Sequence, residues 1–220
     1  MTADLPLETF PALTALPGLV HGFTGRVAGL DVQADRATAM QRLDGFHATA
    51  RERLSLAAKR FITAEQVHGR EVAVVDENTA VPVPAADGLI TASPAVCLGI
   101  YVADCCAVFL ADPVRRVIAL LHSGRKGSEL GITAAALDRM RADFGCDPAD
   151  ITVQLSPCIR PPHYEIDFAA FIIAQARAAG VRQIFDSGTC TAANVDRYYS
   201  YRVERGKTGR LLALLALSTA

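Results

Sequence analysis

Apolar side chains between Asp35 and about Ala57 fall at Ala37, Met40, Leu43, Phe46, Ala50 and Leu54. This three-to-four spacing predicts a helix with one buried face. The preceding stretch "GLVHGFTGR", 18–26, reads as extended. From Arg60 the period shortens, and β-rich runs alternate with turn residues: "FITAEQV", "EVAVVD", "GLITAS", "VCLGIYVAD", "AVFLAD" and "VIALLHSG". The pair "AVFLAD-PVRR-VIALLH" predicts a hairpin whose turn starts at Asp112 and Pro113. A second helical pattern runs from about Ser128 to Phe144, with Ile132, Ala136, Met140 and Phe144 on one face and Gly145 as its stop. The strand "DITVQLSP" leads into "CIRPPHYEID", where consecutive prolines forbid a helix. A third helix, about Phe168 to Ala179, ends at Gly180. The tail "YYSYRVERGKTGRLLALLAL" reads as two strands about a Gly-Lys-Thr-Gly turn, its last run being also compatible with a short helix.

Strands follow strands without intervening helices, which favours a mixed or largely antiparallel sheet over a doubly wound one. The fold class is therefore α+β, a strand-rich core covered by helices. With 220 residues and no low-complexity or Gly/Ser-rich linker, residues 1–220 are expected to form a single domain. No repeat of solenoid length is visible.

Charge removes some functions from consideration. The 22 basic and 23 acidic side chains are interspersed and leave a formal net charge of −1, so no long-range field gathers polyanions and nucleic acid is not an expected partner. The apolar runs 95–103 and 211–217 fall far short of the roughly 20 residues of a membrane span. The N-terminus lacks a basic region followed by an apolar run, and a cytoplasmic location is expected.

Within "YVADCCAVFLAD", 101–112, an acid and two adjacent thiols interrupt an apolar run. The six cysteines are too sparse and irregular for the staples of a small secreted protein, and vicinal Cys105 and Cys106 are poorly placed to bond each other. That leaves core filling or chemistry. Of the five histidines, His68 in "EQVHG" and His122 in "IALLHSG" close apolar runs, as Cys105 does in "GIYVADC". Three metal-capable side chains thus stand at the ends of predicted strands, although no structural-zinc spacing or H-E-x-x-H is present.

Six segments, "EQVHG" (65–69), "ADGLIT" (86–91), "ADCCAVFLAD" (103–112), "LHSGRKG" (121–127), "LSPCIRPPHYEI" (155–166) and "YYSYRVERGKTGR" (198–210), occur in an order that resembles the laccase-domain, or YfiH-like, proteins. These were once called multicopper polyphenol oxidases and later assigned purine nucleoside phosphorylase activity. The resemblance implies a layered α/β/β/α architecture and a zinc cluster of His68, Cys105 and His122, which would also be the catalytic residues, with copper the less favoured metal. It implies phosphorolysis of adenosine, inosine or 5′-methylthioadenosine and deamination of adenosine, with a small nucleoside and phosphate as partners, by a monomer or weak homodimer. Lys126, Arg202 and Arg26 are the expected phosphate ligands, and Asp104 is expected to orient a ligand imidazole from behind. Arg125 and Arg210 are read as solvated surface charges. The sequence departs from the family pattern at "HSGRKG", where Arg125 and Lys126 replace a usual Trp-Arg pair.

Three other readings stay open. One is a cysteine- or metal-dependent hydrolase acting on peptidoglycan precursors, with Cys105 as nucleophile and His68 or His122 as base. Another is a non-catalytic metal-binding protein. A copper polyphenol oxidase is the weakest, because one His₂Cys cluster does not supply the copper sites of a laccase.

Overall fold

A computed structural model describes residues 5–218. Among these residues the first sheet is formed by β1 (Leu7–Glu8), β2 (Leu19–Thr24), β3 (Arg60–Thr63), β6 (Val96–Val102) and β11 (Leu211–Leu217), in the order β1-β2-β11-β6-β3. The second contains β4 (Val72–Val74), β5 (Gly88–Thr91), β7 (Cys106–Asp112), β8 (Val117–Ser123), β9 (Thr152–Leu155) and β10 (Gln183–Asp186), in the order β10-β9-β7-β8-β5-β4. Each sheet mixes antiparallel with parallel pairs, such as β3 with β6 and β4 with β5. The helices are α1 (Pro11–Thr14), α2 (Arg36–Arg53), α3 (Arg125–Glu129), α4 (Ile132–Phe144) and α5 (Phe168–Ala178).

The continuous apolar run of β7 is explained by burial on both faces. Ala107, Phe109 and Ala111 point into a core shared with the first sheet and α2, whereas Cys106, Val108 and Leu110 point into a second core under α4 and α5. The paired strand β8 alternates likewise, with Ile118 and Leu120 on one side and Val117, Ala119 and Leu121 on the other. The expected α+β class and α/β/β/α layering are present, with two sheets where the pattern of strands alone had indicated one.

The expected hairpin is β7–β8, in register Cys106↔Ser123 through Asp112↔Val117. The Asp112 side chain accepts from the backbone N–H groups of Val114 and Arg115 and so closes the turn. Helix α2 starts at its Asp35 cap, whose carboxylate accepts from Thr38 N, and stops at Arg53, short of Ala57. It buries Ala39, Leu43, His47 and Ala50, a stripe rotated from the expected one. The expected helix 128–144 is broken: Gly131 takes φ +83°, separating the short α3 from α4. In the tail only Leu211–Leu217 is a strand, while 198–210 are turns. Adjacent Tyr198 and Tyr199 are both buried there.

Strands β6 and β7 follow one another in sequence but belong to different sheets. The chain between them, 103–105, is therefore the crossover from one sheet to the other, and Asp104 and Cys105 lie on it.

Candidate active site

The register of β7 on β8 sets Ala107 opposite His122, so Cys105 emerges from the crossover beside the end of β8. His68 reaches the same point from a loop rather than from the strand end expected for it, because β3 stops at Thr63. Gln66 and His68 both carry positive φ, +63° and +61°, a conformation unfavourable for residues with a Cβ. Their loop is pinned by polar contacts. The Gln66 amide donates to Tyr101 O at 2.6 Å and accepts from Tyr101 N at 2.9 Å, and the Asp87 carboxylate accepts from His68 N at 2.9 Å and Gly69 N at 2.6 Å.

His68, Cys105 and His122 converge: their ligand atoms all lie within 4.8 Å of one another. The two imidazoles meet edge to face with centroids 4.7 Å apart. His122 is buried, Cys105 half-buried and His68 exposed. Behind them, His122 Nδ1 is 2.8 Å from Asp87 Oδ1, leaving the other ring nitrogen for the cluster. A Cβ at Gly124 would overlap Cys105 Sγ, so glycine there makes room for the thiol.

Charge in this cluster is strongly redistributed. Burial would raise the Cys105 thiol, yet the positive charge of His122 and hydrogen bonding with both imidazoles bring it down to about 6. Burial would lower His122, but the Cys105 thiolate and the Asp87 carboxylate lift it to about 9. Burial also opposes ionisation of Asp87, and His122 with the Gly69 and His68 amides outweighs it, holding that carboxyl below its ordinary value. At neutral pH, without a metal, the cluster is a thiolate–imidazolium pair backed by a carboxylate.

The group opens into a cavity of about 550 Å³, lined on its apolar side by Tyr101, Ile159, Tyr164, Phe168 and Tyr201. Of the expected phosphate ligands, only Arg202 lines it. Arg26 is occupied elsewhere: it pairs with Glu204 at 2.7 Å, donates to Tyr198 O and lies over the Tyr199 ring. Lys126 is exposed on α3 and does not line the cavity. The cations that do line it, besides Arg202, are Arg36, Arg125, Arg205 and Arg210, two of which had been read as solvated charges.

Asp104 lines the cavity but touches no imidazole. One of its oxygens accepts from Thr191 Oγ1 at 2.7 Å and the other from Arg202 N at 2.8 Å, so it fixes the crossover to the 198–210 turns. The carboxylate that orients the imidazole is Asp87, in the "ADGLIT" segment. Its signal was faint: an acid at the start of a fully buried strand. Cys106 is buried in the second core beside Ser156, as a filler.

A mixed two-sheet α+β fold whose crossover carries a His–Cys–His cluster beneath an arginine-rich cavity defines a narrow class. This chain belongs to the family described as multi-copper polyphenol oxidoreductase laccase, whose model matches residues 23–171 and 163–218. A purine nucleoside phosphorylase of Streptomyces coelicolor is 34% identical over 189 residues, covering 74% of this chain and 77% of that protein. A purine nucleoside phosphorylase of Deinococcus radiodurans is 31% identical, covering 99% of this chain and 95% of its own. The crystal structure of YlmD from Geobacillus stearothermophilus matches with a TM-score of 0.80 at 25% identity, over 95% of this chain and 94% of that one.

The cluster can hold a metal ion. Two imidazole nitrogens and a thiolate form a donor set of intermediate softness, and Asp87 fixes the tautomer that frees one His122 nitrogen for it. Among the described residues no helix is long and apolar enough to cross a membrane.

Proposed function

We propose that the protein is a purine nucleoside phosphorylase that cleaves inosine, adenosine or 5′-methylthioadenosine with orthophosphate. The observation that carries this reading is the cavity that joins the His68–Cys105–His122 cluster to aromatic walls and to five arginines, of which Arg36, Arg205 and Arg210 make no ion pair among the described residues. Flat apolar rings such as Tyr164 and Phe168 suit a purine. Arg210 is half-buried, donates only to the neutral carbonyls of Thr208 and Gly209, and is depressed by burial and by the neighbouring Arg36. Two adjacent guanidiniums with no carboxylate between them favour a bound anion, and orthophosphate fits that demand. Arg202, the retained member of the expected set, is a further anion donor on the same cavity.

In phosphorolysis an orthophosphate oxygen bonds to ribose C1′ while the glycosidic C–N bond breaks and its electron pair leaves with the purine. The chain's contribution is to hold phosphate and ribose in line, to cover the purine with apolar surface, and to exclude water that would compete with phosphate. His68, Cys105 and His122 would hold zinc, which when bound supplies Lewis acidity and a site for water activation, the chemistry that deamination of adenosine at C6 requires.

Incubation with each nucleoside, with and without orthophosphate, tests this reading. Free base and ribose 1-phosphate are expected only when phosphate is present. Cys105→Ala should lower the rate by at least about 100-fold, whereas Cys106→Ala should retain the rate and lose on the order of 1 kcal/mol of stability. Absence of product with every nucleoside, or undiminished turnover by Cys105→Ala, would overturn it, and elemental analysis of the same sample separates zinc from copper.

A second reading has its own support. The relay Asp87–His122–Cys105 has the order of a carboxylate–imidazole–thiol nucleophile set. A cysteine hydrolase acting on amide-linked peptidoglycan precursors would use it without metal. Such an enzyme is expected to keep full activity in chelator and to form an acyl adduct on Cys105 visible by mass spectrometry; a metal-dependent phosphorylase would show neither.

A further inference from the structure

We infer that Cys158 and Cys190 form a reversible disulfide site behind the cavity, closed by exchange with a small oxidised thiol such as glutathione disulfide and reopened by excess reduced thiol. Neither side chain belongs to the His68–Cys105–His122 cluster, and the site is independent of what the cavity binds.

The two segments that carry these cysteines pair as a single parallel β-bridge, with Cys158 opposite Cys190. Cys158 N donates to Thr189 O and Thr191 N donates to Cys158 O, each at 3.2 Å. Directly paired residues on neighbouring strands stand about 4.8 Å apart, inside the span of about 4.4–6.8 Å between Cα atoms that a disulfide bridges. Both side chains face the core under α4 and α5, Cys158 fully buried and Cys190 packed at its margin, half-buried. Both are free thiols. Cys106 faces the same core, and its thiol lies against that of Cys158. A bond between Cys106 and Cys158 would have to start at a sulfur buried from any reagent, because both residues are fully buried. Of the three, Cys190 alone is open to solvent, and this selects the Cys158–Cys190 pair.

The residue that follows each cysteine grips the crossover that carries Cys105. Ile159 N donates to Asp104 O at 3.0 Å, and Thr191 Oγ1 donates to Asp104 Oδ1 at 2.7 Å. Ile159 also lines the cavity. A bond between the two sulfurs therefore ties together the two loops that hold Asp104, and it closes a loop that contains α5 and β10. The exchange runs in two steps. The Cys190 thiolate attacks one sulfur of glutathione disulfide, whose S–S bond breaks and whose other half leaves as a thiolate. Cys158 then gives up its proton and attacks the Cys190 sulfur of this mixed disulfide, displacing the second glutathione. Two protein thiols have lost two electrons and two protons, and the reagent has been reduced to two thiols. Reduced at its bridge, the pair leaves the loops joined by hydrogen bonds alone; oxidised, it clamps them.

The test incubates the folded chain with glutathione disulfide in mildly alkaline buffer, without denaturant, and maps cross-linked peptides by mass spectrometry without reduction. A Cys158–Cys190 link is expected while Cys97 and Cys146 stay reduced, and excess reduced glutathione should remove it. The linked protein should unfold at a temperature higher by at least about 5 °C, since the bond restrains a long loop of the unfolded chain. Amide exchange over 156–162 and 187–195 should slow with it. Cys190→Ser, at a half-buried position, should fold and lose both the link and the shift in unfolding temperature. Cys106→Ala and Cys105→Ser should keep both, which shows that neither neighbouring thiol is a partner in the bond. A reaction that stops at a glutathione adduct on Cys190 overturns the proposal, as does a Cys106–Cys158 link in its place. A Cys158–Cys190 link that forms only in denaturant, or that leaves the unfolding temperature unchanged, overturns it equally.

Discussion

Asp87 is fully buried and gathers three donors on two oxygens: His68 N and His122 Nδ1 on one, Gly69 N on the other. It therefore fixes a ring and a loop at once. In Asp87→Asn one of these oxygens becomes an NH₂ group, which meets a donor instead of an acceptor. The expected result is a 10- to 100-fold loss of turnover or metal affinity, the usual effect of removing such a partner. A destabilisation of about 1–3 kcal/mol from the mispaired donor accompanies it. Kinetics and thermal unfolding of the same variant check both, and turnover within 2-fold of the parent would mean that Asp87 does not position His122. At this scale the sequence was informative about which three side chains converge and uninformative about their surroundings. His68, Cys105 and His122 were legible because apolar runs and motif order frame each of them. Which arginine reaches a cavity depends on side-chain direction and on segments distant in sequence, so Arg26 and Lys126 were expected there in place of Arg125 and Arg210.

Two elements, α2 and β2, each bury a histidine. His47 on α2 donates from Nε2 to Arg210 O and leaves its other ring nitrogen, Nδ1, buried without a partner among the described residues. Burial brings its pKa down to about 4, with the nearby Asp44 only partly opposing. His21 on β2 lies among Phe10, Phe23 and Phe109, accepts from Phe10 N at 2.7 Å, and is likewise lowered to about 4 by burial. Both rings are thus favoured neutral when folded and take up a proton near pH 6.5 when unfolded. Their contribution is complete above about pH 6.5 and is lost as the pH falls from there toward 4, by roughly 3 kcal/mol for each ring. Urea unfolding between pH 7.5 and 4.5 should show this decline, and His47→Gln should flatten it by close to one proton's worth of slope. The elements themselves were largely readable: the β7–β8 hairpin and α5 fall where the patterns place them. The failures have local causes. A left-handed Gly131 splits one helix, the Glu204 carboxylate draws Ser200 N and Thr208 Oγ1 together and holds an expected strand in turns, and two-residue β1 and four-residue α1 are too short to show a period.

For the whole molecule, layered α/β/β/α packing makes the site a product of the complete fold. The crossover from β6 to β7 supplies Cys105, β8 supplies His122, and the loop after β3 supplies His68. The arginines arrive from α2, α3 and the 198–210 turns. Alternation within strands announced two-faced burial, but the sequence could not say that β6 and β7, joined by three residues, part into different sheets. That division is a tertiary choice, made where the apolar run is interrupted by Asp104 and Cys105.

The distribution of thiols has a practical consequence. Cys105 is ionised in the native cluster at neutral pH, whereas Cys97 and Cys146 are pushed up to about 12 and, with Cys106 and Cys158, are buried. A short pulse of iodoacetamide at pH 7 should therefore mark Cys105 first in the folded, metal-free chain and reach the four buried thiols only through molecules that have opened. The count of adducts per molecule, read by mass spectrometry as denaturant is raised, should jump from one or two to six. The protein thus carries its own ruler of unfolding, graduated in cysteines and needing no engineered probe.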